Sequence, residues 1–202
     1  MTDDNDSEEI DKKKRKFLRR ATTTVGVIGA AAAGVPFVSS LLPTKAAVAA
    51  GAPVKLSVAN MKPGDQITVV WRGRPVWVIR RTEAMLKTLK KLDPELRDPN
   101  SKIEQQPQFA QNQYRSRKPE LLVVVGVCTH LGCTPTYRPE PGVIDDDWPG
   151  GFFCTCHGSK FDLAGRVFKG VPAPINLEVP PYVFLSESEI LIGADSVPEA
   201  SA

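Results

Sequence analysis

Cysteine and histidine are scarce in this chain, which has four cysteines and two histidines among 202 residues. No glycine-rich phosphate-binding loop or hydrolytic triad is apparent, so the sequence gives no support for nucleotide binding or acyl hydrolysis. From residue 21 onward 19 basic and 17 acidic residues nearly balance, and without a basic block a nucleic-acid interface has no support. The absence of a Cys-x-x-Cys pair excludes a thioredoxin-like redox motif.

All the cysteines and histidines that do occur fall in two short runs, Cys-Thr-His-Leu-Gly-Cys at residues 128–133 and Cys-Thr-Cys-His-Gly-Ser at residues 154–159. A Cys-x-His pair followed by a Cys-x-x-His pair is the ligand set of a Rieske [2Fe–2S] centre. We therefore assign Cys128 and Cys154 to one iron, and His130 and His157 to the other. A site of this kind carries electrons.

The ligand types explain the redox chemistry that such a centre performs. Replacing two thiolates by neutral imidazoles removes negative charge, which raises the reduction potential to roughly −150 to +300 mV, against about −400 mV for plant-type ferredoxins. Each imidazole also has a second ring nitrogen that can carry a proton, and a nearby ferric ion acidifies it. The predicted centre can therefore accept an electron together with a proton.

The two remaining cysteines, Cys133 and Cys156, lie inside the loops but outside the ligand set. Since two cysteines must stay thiolates for iron, a Cys133–Cys156 disulfide would join the loops and contribute roughly 3 kcal/mol in the chain-entropy model. Such a bond indicates an oxidising compartment such as the bacterial periplasm. We also expect Gly132 and Gly158 to allow positive φ or close backbone approach.

Structural zinc is an alternative occupant, because Cys/His sets of this kind often bind zinc. Zinc does not explain two extra cysteines placed beside the ligands, nor the serine that follows the second pair. Metal analysis separates the two interpretations.

Four segments of the chain, CTHLGC, CTCHGSKFD, GVPAP and NLEVPPY, resemble the iron–sulfur subunits of ubiquinol–cytochrome c reductase, the bc-type respiratory complex. The resemblance covers nearly the whole chain. It implies the same four ligands and the same disulfide. It also implies that Leu131 shields the cluster at a docking tip, that Ser159 donates to a bridging sulfide, and that a proline-rich loop at residues 170–174, with Pro172, covers the cluster.

The same resemblance implies how this chain would work. His157, paired with His130, would be the catalytic histidine that accepts the proton from ubiquinol bound to a cytochrome b subunit. The electron would pass to a c-type cytochrome subunit, in a membrane complex that is expected to be dimeric. Because the quinol pocket lies mostly on the partner, the chain is expected to be part of an oxidoreductase and not catalytic alone.

Two residues depart from the family pattern. Thr155 replaces a common proline, and Phe161 replaces a tyrosine that donates a hydrogen bond to a cysteine ligand. Donors to cluster sulfur stabilise the reduced state. We therefore predict a reduction potential toward the lower end of the range for this family.

Two other functions remain open from the residues. The chain could be the Rieske small subunit of a periplasmic oxidase, such as an arsenite oxidase, which would purify with a molybdenum subunit and not with b- and c-type haems. A function of a different class is a periplasmic binding module stabilised by zinc.

The N-terminal region predicts how the domain is held. Seven of the nine residues 12–20 are basic, and the 22 residues 21–42 carry no charge. As a helix they would span about 33 Å, enough for a hydrocarbon core of about 30 Å. The basic block predicts that residues 1–20 are cytoplasmic, and that a transmembrane helix at residues 21–43 leads to a periplasmic head in a bacterial inner membrane. The alternative is a cleaved secretory signal.

Residues 14–19 resemble a twin-arginine export signal with lysine in place of the first arginine. After the span, residues 44–52 have small side chains and are predicted to be a flexible hinge. Residues 53–202 are predicted to form a mainly β Rieske domain, an antiparallel β-sandwich with a cluster-binding subdomain. We expect one helix at residues 83–91, a polar surface excursion at residues 93–120, and strands at residues 54–58, 67–71, 75–79, 121–127, 151–153, 167–168, 177–185 and 189–192.

Overall fold

The structure is a computed structural model that describes residues 12–197. The chain divides into two compact units, with the boundary between Val48 and Ala49. The first unit consists mainly of one long helix, and the second contains all the strands. A short helix lies across the boundary.

The long helix, α1 (Lys12–Ser40), has 29 residues and exposes its apolar side chains, including Val35 and Phe37. It is long and apolar enough to cross a membrane, with a length of about 44 Å. The basic residues lie in its first nine positions, and the rest of the helix is uncharged. This helix is a candidate single membrane anchor.

The predicted hinge at residues 44–52 contains a second helix, α2 (Lys45–Ala50). Its alanine-rich sequence favours helix, and the Thr44 hydroxyl accepts the amide of Ala47 at 3.1 Å, as an N-cap residue does. The segment is therefore helical for six residues, and its role as a hinge stays a prediction.

Up to residue 197, the second unit has nine strands in three antiparallel three-stranded sheets, with strand orders β1-β9-β8, β2-β3-β4 and β5-β6-β7. The strands are β1 (Val54–Ser57), β2 (Gln66–Trp71), β3 (Arg74–Arg80), β4 (Leu121–Val125), β5 (Thr136–Arg138), β6 (Gly151–Cys154), β7 (Ser159–Phe161), β8 (Tyr182–Ser186) and β9 (Glu189–Ile192). A helix, α3 (Glu83–Leu89), follows β3 and continues into a 3₁₀ helix, Lys90–Glu95. The mainly β antiparallel fold is confirmed.

The hydrophobic core extends from these sheets to the cysteine-rich loops. All five residues of β4 are buried, as its continuous Leu/Val sequence predicts for a strand covered on both faces. The core also includes Trp77, Phe152 and the two cysteines Cys128 and Cys154. The predicted ligand cysteines therefore lie at the edge of the main core and not on a detached loop.

Two predicted strands differ from the structure. The strand predicted at residues 177–185 begins at Tyr182, because Pro180 and Pro181 cannot donate ladder hydrogen bonds. Val167 and Phe168 form isolated bridges instead of a strand. The short strands β5 and β7 were not predicted, since three-residue strands give too little alternation to detect.

Three buried arginines organise the polar excursion at residues 93–120. Arg81 donates to three groups of the excursion, the carbonyls of Tyr114 and Pro119 and the hydroxyl of Ser116, and also to the carbonyl of Leu163. The donors of Arg115 go to groups in or beside the excursion, Ser101, Gln106, Ala164 and Gly165. Arg166 pairs with the buried carboxylate of Asp162 at 2.8 Å. Burial lowers the pKa of Arg81 to about 10 and that of Arg115 to about 9, so both stay charged at neutral pH.

Candidate metal centre

The two cysteine-rich runs form two loops, which we call the first ligand loop (residues 128–133) and the second ligand loop (residues 154–159). The first follows β4 after Gly126 and Val127, and the second closes the β6–β7 hairpin. Each loop is closed by a backbone hydrogen bond from a glycine to the carbonyl of the leading cysteine. These bonds join Gly132 to Cys128 at 3.0 Å and Gly158 to Cys154 at 2.9 Å.

Both loop glycines have left-handed backbone conformations. Gly132 has φ 85° and Gly158 has φ 76°, in a region where an L-residue would place its Cβ too close to a carbonyl oxygen. The predicted positive φ at these positions is confirmed, and it explains why glycine ends the tight turn in each loop.

The structure separates the four cysteines into two pairs with different chemistry. Cys133 and Cys156 form a disulfide with a Cα–Cα distance of 6.7 Å, which confirms the predicted bond. Cys128 and Cys154 are buried free thiols, and the sulfur of Cys154 lies within 4.8 Å of the disulfide sulfurs. The disulfide therefore joins the two ligand loops beside the free thiols.

The Cys128 thiol is surrounded by groups from both loops. Burial, the largest effect, raises the pKa of this thiol, and hydrogen bonds from the His130 backbone and the Ser159 hydroxyl act against that shift. Cys154 is also within hydrogen-bond reach of Cys128. Two thiols this close can bind metal at a common position, because metal binding displaces their protons.

The two histidines meet on the outer side of the loops. Their ring centroids are 4.8 Å apart, and the ring planes are nearly perpendicular at 89°. His130 is half-buried and His157 is exposed. Two adjacent thiols and two adjacent imidazoles thus occur together, and this donor set fits a cluster that takes sulfur ligands on one iron and nitrogen ligands on the other.

The proline-rich loop at residues 170–174 is hydrogen-bonded to the second ligand loop, and the chain just after it to the first. The amide of Ala173 donates to the Ser159 hydroxyl at 3.0 Å, and the Thr129 hydroxyl donates to the carbonyl of Ile175 at 2.6 Å. Pro172 is exposed. The contact of Thr129 was not predicted from the sequence, although Thr129 lies between two predicted ligands in the Cys-Thr-His run.

Leu131 and Phe161 occupy opposite environments. Leu131, within the first ligand loop, is a large apolar side chain that is 73% exposed. Phe161 is fully buried in β7, opposite Phe152 of β6. The position that resembles a hydrogen-bonding tyrosine is therefore filled by an apolar ring inside the core.

Comparisons with known proteins agree with this site. Residues 100–181 match the family described as "Rieske [2Fe-2S] domain", and residues 4–44 match the family described as "Ubiquitinol-cytochrome C reductase Fe-S subunit TAT signal". The fold and the Cys/His set define the class of the protein as a Rieske-type [2Fe–2S] electron carrier.

Curated relatives define the family within that class. The chain is 53% identical to the ubiquinol–cytochrome c reductase iron–sulfur subunit of Allochromatium vinosum over 188 residues, which cover 92% of this chain and 91% of that one. It is 40% identical to the subunit of the same name from Blastochloris viridis, over 93% of this chain and 97% of that one. A solved chain titled "Hyperthermophilic respiratory Complex III" is similar with TM-score 0.47 and 23% identity, over 86% of this chain and 99% of that one.

On the sequence relatives, the chain belongs to the iron–sulfur subunits of ubiquinol–cytochrome c reductase. This membership selects the quinol-reductase interpretation over the periplasmic oxidase and over the zinc-stabilised module. It also makes the chain a subunit of an oxidoreductase complex.

Proposed function

We propose that Cys128 and Cys154 ligate one iron of the cluster and that His130 and His157 ligate the other. The observation that carries this proposal is the sorting of six residues into three adjacent pairs: two buried free thiols, one disulfide and two imidazoles 4.8 Å apart. The disulfide consumes the two cysteines that the ligand set does not need. When bound, the cluster supplies a one-electron acceptor of raised potential.

Individual residues around the cluster site would determine how the quinol approaches this acceptor. His157 is exposed, so its second ring nitrogen can accept a hydrogen bond from ubiquinol and then hold the proton. Leu131, also exposed, shields the site with an apolar side chain and excludes water where the quinol pocket of cytochrome b closes over it. Ser159 and the loop around Pro172 cover the buried side.

The partners of the chain follow from these proposed roles. The chain takes one electron from ubiquinol at the cytochrome b subunit and delivers it to a c-type cytochrome subunit, within a dimeric complex. It does not catalyse the reaction alone, because the quinol pocket lies mostly on the partner. The basic first turns of α1 favour a cytoplasmic N-terminus, with the head in the periplasm after twin-arginine export.

Delivery to two partners requires the head to move, and we place that movement at residues 44–52. Replacing Ala47 and Ala49 together by proline, or together by glycine, disrupts α2 in either case. The proline pair stiffens the chain and the glycine pair loosens it. We expect slower ubiquinol–cytochrome c turnover in the proline variant than in the glycine variant, with the same cluster spectrum in both. Equal turnover in both variants and in the unaltered chain would contradict movement at this segment.

The ligand assignment is tested by spectroscopy and metal analysis of the full chain in its membrane. We expect iron and acid-labile sulfide in a ratio of one to one, and a Rieske electron paramagnetic resonance (EPR) signal after mild reduction. The signal should change when the quinone pool is reduced or a quinol-site inhibitor is added. Stoichiometric zinc without acid-labile sulfide would overturn the proposal.

A further inference from the structure

Trp77 is a buried residue of the central sheet that contacts the base of both ligand loops. It lies in the middle of β3, opposite Val124 of β4 and Thr68 of β2, and is 4% exposed. The Cys/His motifs give no indication of a role for Trp77, because Trp77 precedes the first proposed ligand by 51 positions in the sequence.

The first contact of Trp77 is with Gly126, the residue that joins β4 to the first ligand loop. A Cβ added at Gly126 would lie 2.3 Å from Cε2 and 2.5 Å from Cζ2 of the indole. The backbone of Gly126 also donates to the carbonyl of Pro75 at 2.8 Å. Glycine is therefore required here for space, and the indole covers the backbone two residues before Cys128.

The second contact of Trp77 is with Phe152, which lies in β6 two residues before Cys154. The two rings are stacked, with centroids 5.2 Å apart and planes inclined by 13°. Phe152 is fully buried. Stacked aromatic pairs contribute about 0.5–1.5 kcal/mol beyond their buried area, and a rigid pair of rings also fixes a distance.

We propose that Trp77 is a positioning residue that sets the separation of the two ligand loops at their bases. One indole reaches the backbone ahead of Cys128 and the side chain ahead of Cys154, so a change in its volume alters the distance between the two thiols. The Cys133–Cys156 disulfide also holds the two loops together, at positions within the loops and not at their bases. This inference rests on the proposed ligand set.

The structure offers a matched control in Trp71. This tryptophan is 2% exposed in the neighbouring strand β2 and also covers a glycine, since a Cβ at Gly193 would lie 2.3 Å from its Nε1. Gly193 follows β9, in the sheet β1-β9-β8 that carries no ligand loop. Replacing either tryptophan by valine removes a similar buried volume, and both are expected to lower thermal stability.

The test compares Trp77→Val with Trp71→Val in the full chain, in membranes. We expect Trp77→Val to broaden and shift the g values of the reduced cluster, to move its midpoint potential, and to speed the loss of acid-labile sulfide on dialysis. Trp71→Val should keep the spectrum and potential of the unaltered chain. Gly126→Ala, which forces the indole to shift, should also change the spectrum.

Three outcomes would overturn the inference. They are an unaltered spectrum and potential in Trp77→Val, equal shifts in both tryptophan variants, or an unaltered spectrum in Gly126→Ala. If the valine variants do not fold, Trp77→Phe and Trp71→Phe decide the same comparison with a smaller loss of volume. A missing Rieske signal in the unaltered chain would instead refute the proposed function, so the two failures are distinguishable.

Discussion

The two ligand loops can be compared position by position, starting from the leading cysteine of each. Cys128 and Cys154 are both buried, and each accepts a hydrogen bond from the glycine four positions later. The residue three positions after the cysteine is exposed in both loops, but it is Leu131 in the first and His157 in the second. One backbone design thus presents an apolar side chain on one side and a proton-accepting ring on the other.

The comparison shows that the two proposed histidine ligands have unequal access to solvent and so to a partner. His130 occupies the second position after its cysteine and is half-buried, whereas His157 occupies the third and is exposed. A shift of one residue in the loop therefore separates the half-buried histidine from the exposed one, which under the proposed function is the one that meets the quinol. Substitutions at matched positions of the two loops can separate these roles.

Removing the exposed side chain from each loop should have opposite consequences for the cluster. We expect His157→Ala to abolish the Rieske signal and the acid-labile sulfide, because one iron loses a ligand. Leu131→Ala, at the same position of the other loop, should keep both. EPR and sulfide analysis of membranes containing each variant make the measurement. A Rieske signal of normal shape in His157→Ala would show that this histidine is not a ligand.

Separating the loops at the disulfide should weaken the head without removing a ligand. The bond spans 23 positions, and the chain-entropy model gives about 3 kcal/mol for a loop of this order. We expect the double variant Cys133→Ser/Cys156→Ser to unfold at a temperature about 6–12 °C lower. Thermal denaturation followed by the visible absorbance of the cluster measures this shift, and an unchanged midpoint would contradict a stabilising role.

Adding a hydroxyl to the second loop's hairpin should raise the reduction potential. Phe161→Tyr would supply the donor that the family pattern has at this position. A charge-assisted hydrogen bond of about 1.5–3 kcal/mol corresponds to about 65–130 mV in a one-electron couple. Phe153→Tyr, in the adjacent strand β6, is the control and should leave the potential unchanged. Redox titration monitored by EPR measures the potential of each variant. A potential that does not rise in Phe161→Tyr would refute the idea that the missing hydroxyl lowers the potential of this chain.

Substituting the turn glycine should change the free energy of unfolding by a similar amount in both loops. Apart from its adjacent residues in the chain, nothing lies within 4 Å of a Cβ added at Gly132 or Gly158, so alanine there meets conformational strain and no tertiary overlap. We expect each alanine variant to lose about 1–2 kcal/mol of stability, and asparagine to lose less, because asparagine tolerates the left-handed region. Denaturation of the matched variants makes the comparison. Equal stability of the alanine and asparagine variants would argue against this cause.

The proposed ligands stood out in the sequence because cysteine and histidine are rare here and occur together. The strands β1, β2, β3 and β9 were predictable from apolar alternation and turn residues. The proline pair at residues 180–181 was visible in the sequence, yet the apolar residues around it suggested a longer strand than forms. Local pattern therefore identified the elements better than it identified their ends.

Other features had no local signal. Arg81, Arg115 and Arg166 look like surface charges in a sequence, and their burial depends on carbonyls that tertiary folding brings together from distant segments. The contact between Trp77 and Phe152 joins residues 75 positions apart. Such features arise from tertiary packing, which neither periodicity nor motif spacing reports.

The buried arginines have a consequence for anyone designing a minimal soluble head. Trimming residues 98–120 as a dispensable surface insertion would remove three of the four acceptors described for Arg81, leaving it the carbonyl of Leu163. A guanidinium stranded in the interior costs several kcal/mol. We therefore expect a fragment shortened in this way to be less stable than one in which Arg81 is also replaced by an apolar residue.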